Sequence, residues 1–142
     1  MNKNNYILNT RIYRIENSYA YANFSKHCRK ERVAMKKNDY DTVYLALQVA
    51  EDDVHMELAG IVGWQELGKG HFRFKTDYIF ERFRGKKLYS ELWDTRINVI
   101  LSYGAKKISA YCTDMSLPKY LKEGFKIRSI NKNGIKYVTK IL

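Results

Sequence analysis

The chain has 142 residues, which by length is one domain spanning 1–142 with room for an apolar core of its own. Apolar residues make up 45% and aromatic residues 14%, which excludes a disordered chain, and two cysteines, Cys28 and Cys112, do not make a disulfide framework. The balance of 26 basic against 15 acidic residues gives a net charge of +11, a surface that attracts nucleic acid, acidic proteins or phosphate-bearing cofactors.

No apolar run reaches the length of a membrane span, and "MNKNNYILNT" at the start lacks the apolar core of a signal peptide. The expectation is a cytoplasmic protein with reduced thiols, not associated with a membrane. The positive charge leaves nucleic acid open as a partner, but no zinc-ligand spacing and no RNP-like aromatic motif accompanies it. His27 next to Cys28 is a pair without further Cys/His spacing and reads as ordinary helix sequence rather than a metal site.

In chain order, "IENSYAYANFSKHCRKERV", 15–33, is predicted to be a helix, with Asn17 or Ser18 as its cap and a basic end that suits the helix dipole. "TVYLALQVAED", 42–52, alternates and is rich in strand formers. "DDVHM", 52–56, is a turn or the start of the next strand, "ELAGIVGWQEL", 57–67, is that strand, and "GKG", 68–70, is a turn. In "HFRFKTDYIF", 71–80, Phe72, Phe74, Tyr78 and Phe80 share one parity, and Arg73, Lys75 and Asp77 the other. His55 and His71 fall at loop or strand-end positions.

The period then changes. Leu88, Leu92, Trp93, Ile97, Ile100 and Leu101 recur at helical spacing across 86–103, and "YGA" supplies a glycine stop. "KKISAYCTD", 106–114, is a strand, and "SLPKYLKEG", 116–124, is a short helix with Ser116 as cap, Pro118 in the first turn and Gly124 as stop. "FKIRSI" and "IKYVTKIL" are strands joined by "NKNG", whose Asn-Gly suits a hairpin. The order helix, three strands, helix, strand, helix, two strands predicts an α/β (α+β) domain with a mixed, mostly antiparallel sheet. The strand at 106–114 follows a helical crossover from 71–80 and is predicted to lie parallel to it.

The junction of strand and helix, "FERFRGKKLYSELW" at 80–93, holds one glycine among four cations. A glycine turn opening a helix presents free backbone N–H groups at the positive end of the dipole, which is an anion site. Gly85 allows a ligand close to the backbone, and Arg82, Arg84, Lys86 and Lys87 add charge, so the stretch suits a pyrophosphate.

At these residues the chain resembles the GCN5-related N-acetyltransferase (GNAT) family. That family's acyl-CoA motif has the form "fRGkGlG", and "FRGKKLY" matches it at Arg84, Gly85, Lys86 and Leu88. Lys87 and Tyr89 stand where the family has two small residues. Downstream, "YLKEGFK", 120–126, is similar to the family's "YeklGFk", and Thr113 stands where the family often has an Asn seven residues before that Tyr. The resemblance covers about residues 42–142.

The resemblance implies a GNAT-like sheet and an acyl-CoA-dependent N-acyltransferase, with acetyl-CoA or another acyl-CoA as donor and an amine as acceptor. It implies that backbone groups of Tyr78, Ile79 and Phe80 pair with the pantetheine arm, that the turn from Arg84 to Tyr89 holds the pyrophosphate, and that Tyr120 protonates the departing thiolate. Glu66, Asp77, Glu81 and Asp114 are the acidic candidates for the base, with Asp77 and Glu81 foremost, each against the ordinary reading of a surface ion pair. Trp64 and Trp93 read as core.

Two other functions are compatible with the residues. The charge and the altered turn fit a nucleic-acid-modifying relative, similar to phage Mom-like proteins. Lys87 and Tyr89 fit a binding module that kept the fold and lost the cofactor. The basic surface leans towards an acidic macromolecule as partner. The family's C-terminal strands often pair between subunits, so a homodimer is compatible too.

Overall fold

The computed structural model describes residues 9–50 and 55–142. Seven strands form one sheet in the order β1-β2-β3-β4-β5-β7-β6. They are β1 (Asn9–Ile15), β2 (Thr42–Ala50), β3 (Met56–Gly68), β4 (His71–Ile79), β5 (Lys107–Cys112), β6 (Lys126–Ile130) and β7 (Lys136–Ile141). The helices among the described residues are α1 (Asn17–Lys30), α2 (Leu88–Ser102) and α3 (Leu117–Lys122), with a 3-10 turn at Glu81–Phe83. Every pairing is antiparallel except β4 with β5, which is parallel, as the crossover through α2 requires. The mixed, mostly antiparallel sheet of the sequence reading is therefore present. No helix among the described residues is long and apolar enough to cross a membrane.

One strand was not legible. β1 is an edge strand whose first three residues are exposed, so its sequence, NTRIYRI, carries charge on both parities and no clean alternation. The helix that follows begins at Asn17, with Glu16 rather than Asn17 or Ser18 as its cap, and no side chain caps it. Asn17 instead donates to the carbonyls of Asp39 and Thr42, tying α1 to the start of β2. Part of "DDVHM" and the end of "TVYLALQVAED", 51–54, lies outside the described residues, as do residues 1–8 of the N-terminal stretch.

The sheet separates two apolar clusters. α1 lays Ala20, Phe24 and Cys28 against Tyr44, Ala46, Ile61 and Tyr78 on one face. α2 and α3 cover the other face, where Trp93 packs edge-on to Phe74, Tyr120 and Phe125 at centroid distances of 5.5, 4.8 and 5.9 Å. Both cysteines are buried free thiols, and burial pushes Cys28 up to about 12 and Cys112 to about 11.

Both glycine stops are used as expected. Past α3, the Gly124 N–H bonds the Leu121 carbonyl and the Phe125 N–H bonds that of Tyr120, which is the Schellman pairing. The hydrophobic contact that accompanies such an end is Tyr120 on Phe125, 5.0 Å between centroids. The local chemistry of "YLKEGF" therefore fixes the tyrosine ring. Ser116 precedes α3 but makes no cap bond, its hydroxyl pointing back to the Thr113 carbonyl. The "NKNG" loop closes between Asn131 N–H and the Ile135 carbonyl around three residues, with Gly134 at positive φ, rather than as a two-residue turn.

Candidate active site

β4 departs from the simple alternation of its sequence. Ile61 pairs with Tyr78 and Gly63 with Lys75, so Thr76 and Asp77 together face one residue of β3. Thr76 takes φ +59°, unusual for a β-branched residue, and its hydroxyl donates to the Ala34 carbonyl at 2.8 Å. The bulge shifts the parity by one. Asp77 thus joins Phe72 and Phe74 on the α2 face, and Tyr78 crosses to the α1 face, correcting the parity read from the sequence.

The bulge also marks where β4 and β5 part. Their pairing runs from His71–Lys107 to Phe74–Ala110 and stops. From Lys75 to Ile79 the edge of β4 that faces β5 has no strand partner among the described residues. A cleft of about 620 Å³ opens there. Tyr89 and Tyr120 line it from the α2 and α3 side, and Arg73 and Tyr111 from the other, so it passes through the sheet.

Asp77 is the hub of the cleft's floor. Its Oδ1 accepts from Arg96 at 2.6 Å and its Oδ2 from the same guanidinium at 2.8 Å. The Tyr120 hydroxyl donates to Oδ2 at 2.8 Å, and the Tyr89 hydroxyl donates to the same oxygen. Arg96 is fully buried, donates also to the Gly63 carbonyl at 3.0 Å and lies over the Phe74 ring at 3.6 Å. Burial works against its charge, and Asp77 more than restores it. Burial pushes the Tyr120 and Tyr89 phenols well above 10, and the adjacent Asp77 adds to that.

The turn at the mouth carries two residues at positive φ, Gly85 at +79° and Lys87 at +62°. Lys87 is the cap residue of α2 and no side chain caps the helix, so its first amides are left without a side-chain acceptor. A β-carbon at Gly85 would meet nothing within 4 Å. For Lys87 the left-handed conformation costs about 1 kcal/mol relative to glycine. The backbone shape that a small residue would give is kept although the residue is not small. Tyr89 does not fill the turn. It lies edge-on to Trp93 at 6.1 Å and reaches Asp77.

The other predicted residues fall in several places. Arg84 has protein partners: its Nε donates to the Ile79 carbonyl at 2.8 Å and its Nη2 to Glu31 at 2.8 Å. Tyr78 also donates to Glu31. Hydrogen bonds from Arg84 and then Tyr78 hold the Glu31 carboxyl below its ordinary value. Tyr78, Ile79, Leu88 and Thr113 line the cleft. Phe80 does not. Its N–H donates to the Ala59 carbonyl, and its ring lies 5.1 Å from Phe24 and 4.8 Å from His27. Arg82 pairs with Glu57 on the surface, and Glu81 and Lys86 are exposed outside the cleft lining. Glu66 is exposed on β3, and Asp114, fully exposed, pairs with Lys136 at 2.5 Å. No group of three or more potential metal ligands occurs among the described residues.

Sequence reasoning passed over Arg96 and Glu31. Arg96 carried a signal, since it falls on the buried stripe of Leu92, Trp93 and Ile100, where a cation demands a carboxylate. Glu31 carried none, because its partners lie 47 and 53 residues away.

No protein-family model matches the sequence, and no curated protein sequence is similar to it. Solved structures are similar in fold. A GNAT-family acetyltransferase from Staphylococcus aureus Mu50 superposes with a TM-score of 0.74 at 15% identity, covering 94% of this chain and 99% of that one. Ard1 from Thermoplasma volcanium gives 0.74 at 12% identity, covering 94% and 97%. PaiA N-acetyltransferase from Thermoplasma acidophilum, in complex with coenzyme A, gives 0.70 at 13% identity, covering 94% and 99%. The fold is that of the GNAT acetyltransferases.

Two outcomes follow from the ion pairs. Arg96→Met leaves Asp77 buried without its cation and is expected to cost about 3–5 kcal/mol in urea denaturation. The double variant Arg96→Met with Asp77→Asn should recover a substantial part of that loss; equal destabilisation of both would contradict the pairing. At Glu31 the sign is set by a depressed carboxyl. The stability it contributes is complete above the ordinary glutamate value of 4.5 and is lost as pH falls through the lower folded value. Glu31→Gln should therefore be less stable than the native chain near neutral pH, with the two converging below about pH 4.5.

Proposed function

We propose that the chain is an acyl-CoA-dependent N-acyltransferase, with acetyl-CoA as the first donor to test and an amine as acceptor. The observation that carries this reading is the junction of three features in one cleft: an unpaired β4 edge from Lys75 to Ile79, the uncapped N-terminus of α2 behind Gly85, and Tyr120 on the floor.

The residues fit such a donor. A diphosphate would be held by the first amides of α2, with Lys87 in the cleft lining and Lys86 on the exposed side of the turn. Arg84 serves this site by bracing the turn against Ile79 and Glu31. An extended amide-bearing arm would find a strand-like partner on the open edge of β4 at Ile79, since the backbone of Tyr78 faces β3. When bound, the donor supplies an activated acyl carbon and a thiolate leaving group.

Tyr120 presents a phenol that stays protonated at neutral pH, with its proton directed to Asp77. Rotation of that O–H off Asp77 makes it a donor to a developing thiolate. Asp77 acts in this reading as the residue that orients Tyr120, because Arg96, Tyr89 and Tyr120 already occupy its oxygens. Glu81 is exposed outside the cleft, so the proton of the amine leaves through water rather than through a carboxylate of the wall.

Isothermal titration with acetyl-CoA tests the reading, with Gly85→Glu as the control. The variant puts a carboxylate at the helix N-terminus and a side chain at φ +79°. Saturable binding by the native chain and none by the folded variant is the expected result. Absence of binding by the native chain rejects the proposal. Tyr120→Phe should retain acetyl-CoA affinity and lose about 10²-fold in kcat, measured as CoA release, the effect of one proton donor. Unchanged kcat would remove Tyr120 from the chemistry.

A further inference from the structure

The cleft's own charges are unbalanced on the side away from α2. Among the described lining residues Asp77 is the one carboxylate, and it is saturated from within the protein. Of the lining cations, Lys75 is paired with Asp39 at 2.6 Å and Arg84 with Glu31, while Lys87 belongs to the turn. That leaves Arg32 and Arg73.

Arg73 is the unusual one. It lies on β4 opposite Phe72 and Phe74, and therefore on the sheet face that carries Tyr111 and Tyr137. Its guanidinium lies over the Tyr111 ring at 5.2 Å, and Tyr111 in turn packs on Tyr137 at 4.9 Å. Among the described residues no helix covers this part of the face, and Tyr111 is 59% exposed. Yet Arg73 Nε is buried and has no hydrogen-bond partner among the described residues. A cation over an aromatic ring, with no anion beside it among the described residues, keeps its outer guanidinium N–H groups for an anionic ligand. Arg32, exposed at the end of α1 and also at positive φ, adds a second charge to the same opening.

Position gives the ligand its identity. A donor held at the α2 turn enters from the C-terminal end of β4. Arg73 stands on the other side of the sheet and four residues before Asp77, at most about 13 Å away at the strand rise. We propose that Arg73 binds an anionic group on the acceptor, so that the substrate is an amine that also carries a carboxylate or a phosphate. Arg73 is a specificity residue here. This inference rests on the acyltransferase reading for its substrate, while the anion site can be measured without turnover.

The test pairs kinetics with binding. CoA release from acetyl-CoA is measured with L-glutamate, 2-aminoethyl phosphate, neutral ethanolamine and cationic putrescine. The expected order puts an anionic amine first, and the better of L-glutamate and 2-aminoethyl phosphate tells carboxylate from phosphate. Arg73→Met should raise KM for the anionic amines about tenfold or more, the worth of a charge-assisted hydrogen bond, with kcat and acetyl-CoA affinity unchanged. Arg73→Lys should restore part of the loss. A native preference for ethanolamine or putrescine, or an equal effect of Arg73→Met on every amine, overturns the inference. Titration of 2-aminoethyl phosphate and of L-glutamate into the free protein is the second arm. Binding of either that Arg73→Met abolishes supports the site even where acetyl-CoA fails to bind, in which case only the acyltransferase reading falls. Binding of neither overturns the site itself.

Discussion

The bulge at Thr76 places one residue more in β4 than β3 has opposite it, and much of the site follows from that mismatch. An extra residue in a strand reverses which side chains face which way from that point on. Asp77 is turned under α2 and α3, and Tyr78 is turned towards α1. Beyond Phe74 the strand also loses β5, just before the bulge that bends it. The opening in the sheet and the carboxylate at its floor thus meet at a single local irregularity. The strain of a threonine at φ +59° is held by its hydrogen bond to Ala34, in the segment after α1.

Around that irregularity the chain is tied together by long-range polar contacts. Asp77 joins β4 to α2 through Arg96 and Tyr89, and to α3 through Tyr120. Glu31 joins α1 to β4 through Tyr78 and to the basic turn through Arg84. Each acidic group gathers partners from separate elements, so the apolar clusters on the two faces have a polar register to match. Packing alone would allow α3 to slide along Trp93. A phenol that must end on Asp77 while its ring rests on Phe125 has little freedom to do so.

What could be read from the sequence was whatever is decided locally. Gly104 and Gly124 end helices because the chain needs positive φ there, and the crossover through α2 makes β4 and β5 parallel for topological reasons. The position of Tyr120 was legible for the same reason, since its helix stop and its ring contact lie within five residues. Thr76 was not legible, because threonine favours regular strands and nothing nearby announces a bulge. The face of Asp77 was misread in consequence. Arg84 looked like a phosphate ligand because its salt bridge runs to Glu31, far along the chain. β1 was missed because an exposed edge has no buried side to stamp a pattern on its sequence.

Tyr89 has a consequence of a different kind. It stands on the first turn of α2, among the amides that an anion at the mouth would engage, and its hydroxyl ends on the oxygen that also receives Tyr120. The two ends of the cleft are therefore mechanically joined by one side chain. Any displacement of that first turn alters how many protons Asp77 Oδ2 shares, and so alters the hold on Tyr120. A single hydrogen bond of about 1 kcal/mol sets the scale of this coupling, roughly a fivefold change in the balance between the bonded and released Tyr120 hydroxyl. A residue that breaks the expected small-residue pattern thereby gives the fold an internal coupling that glycine, with no side chain, has no means to provide.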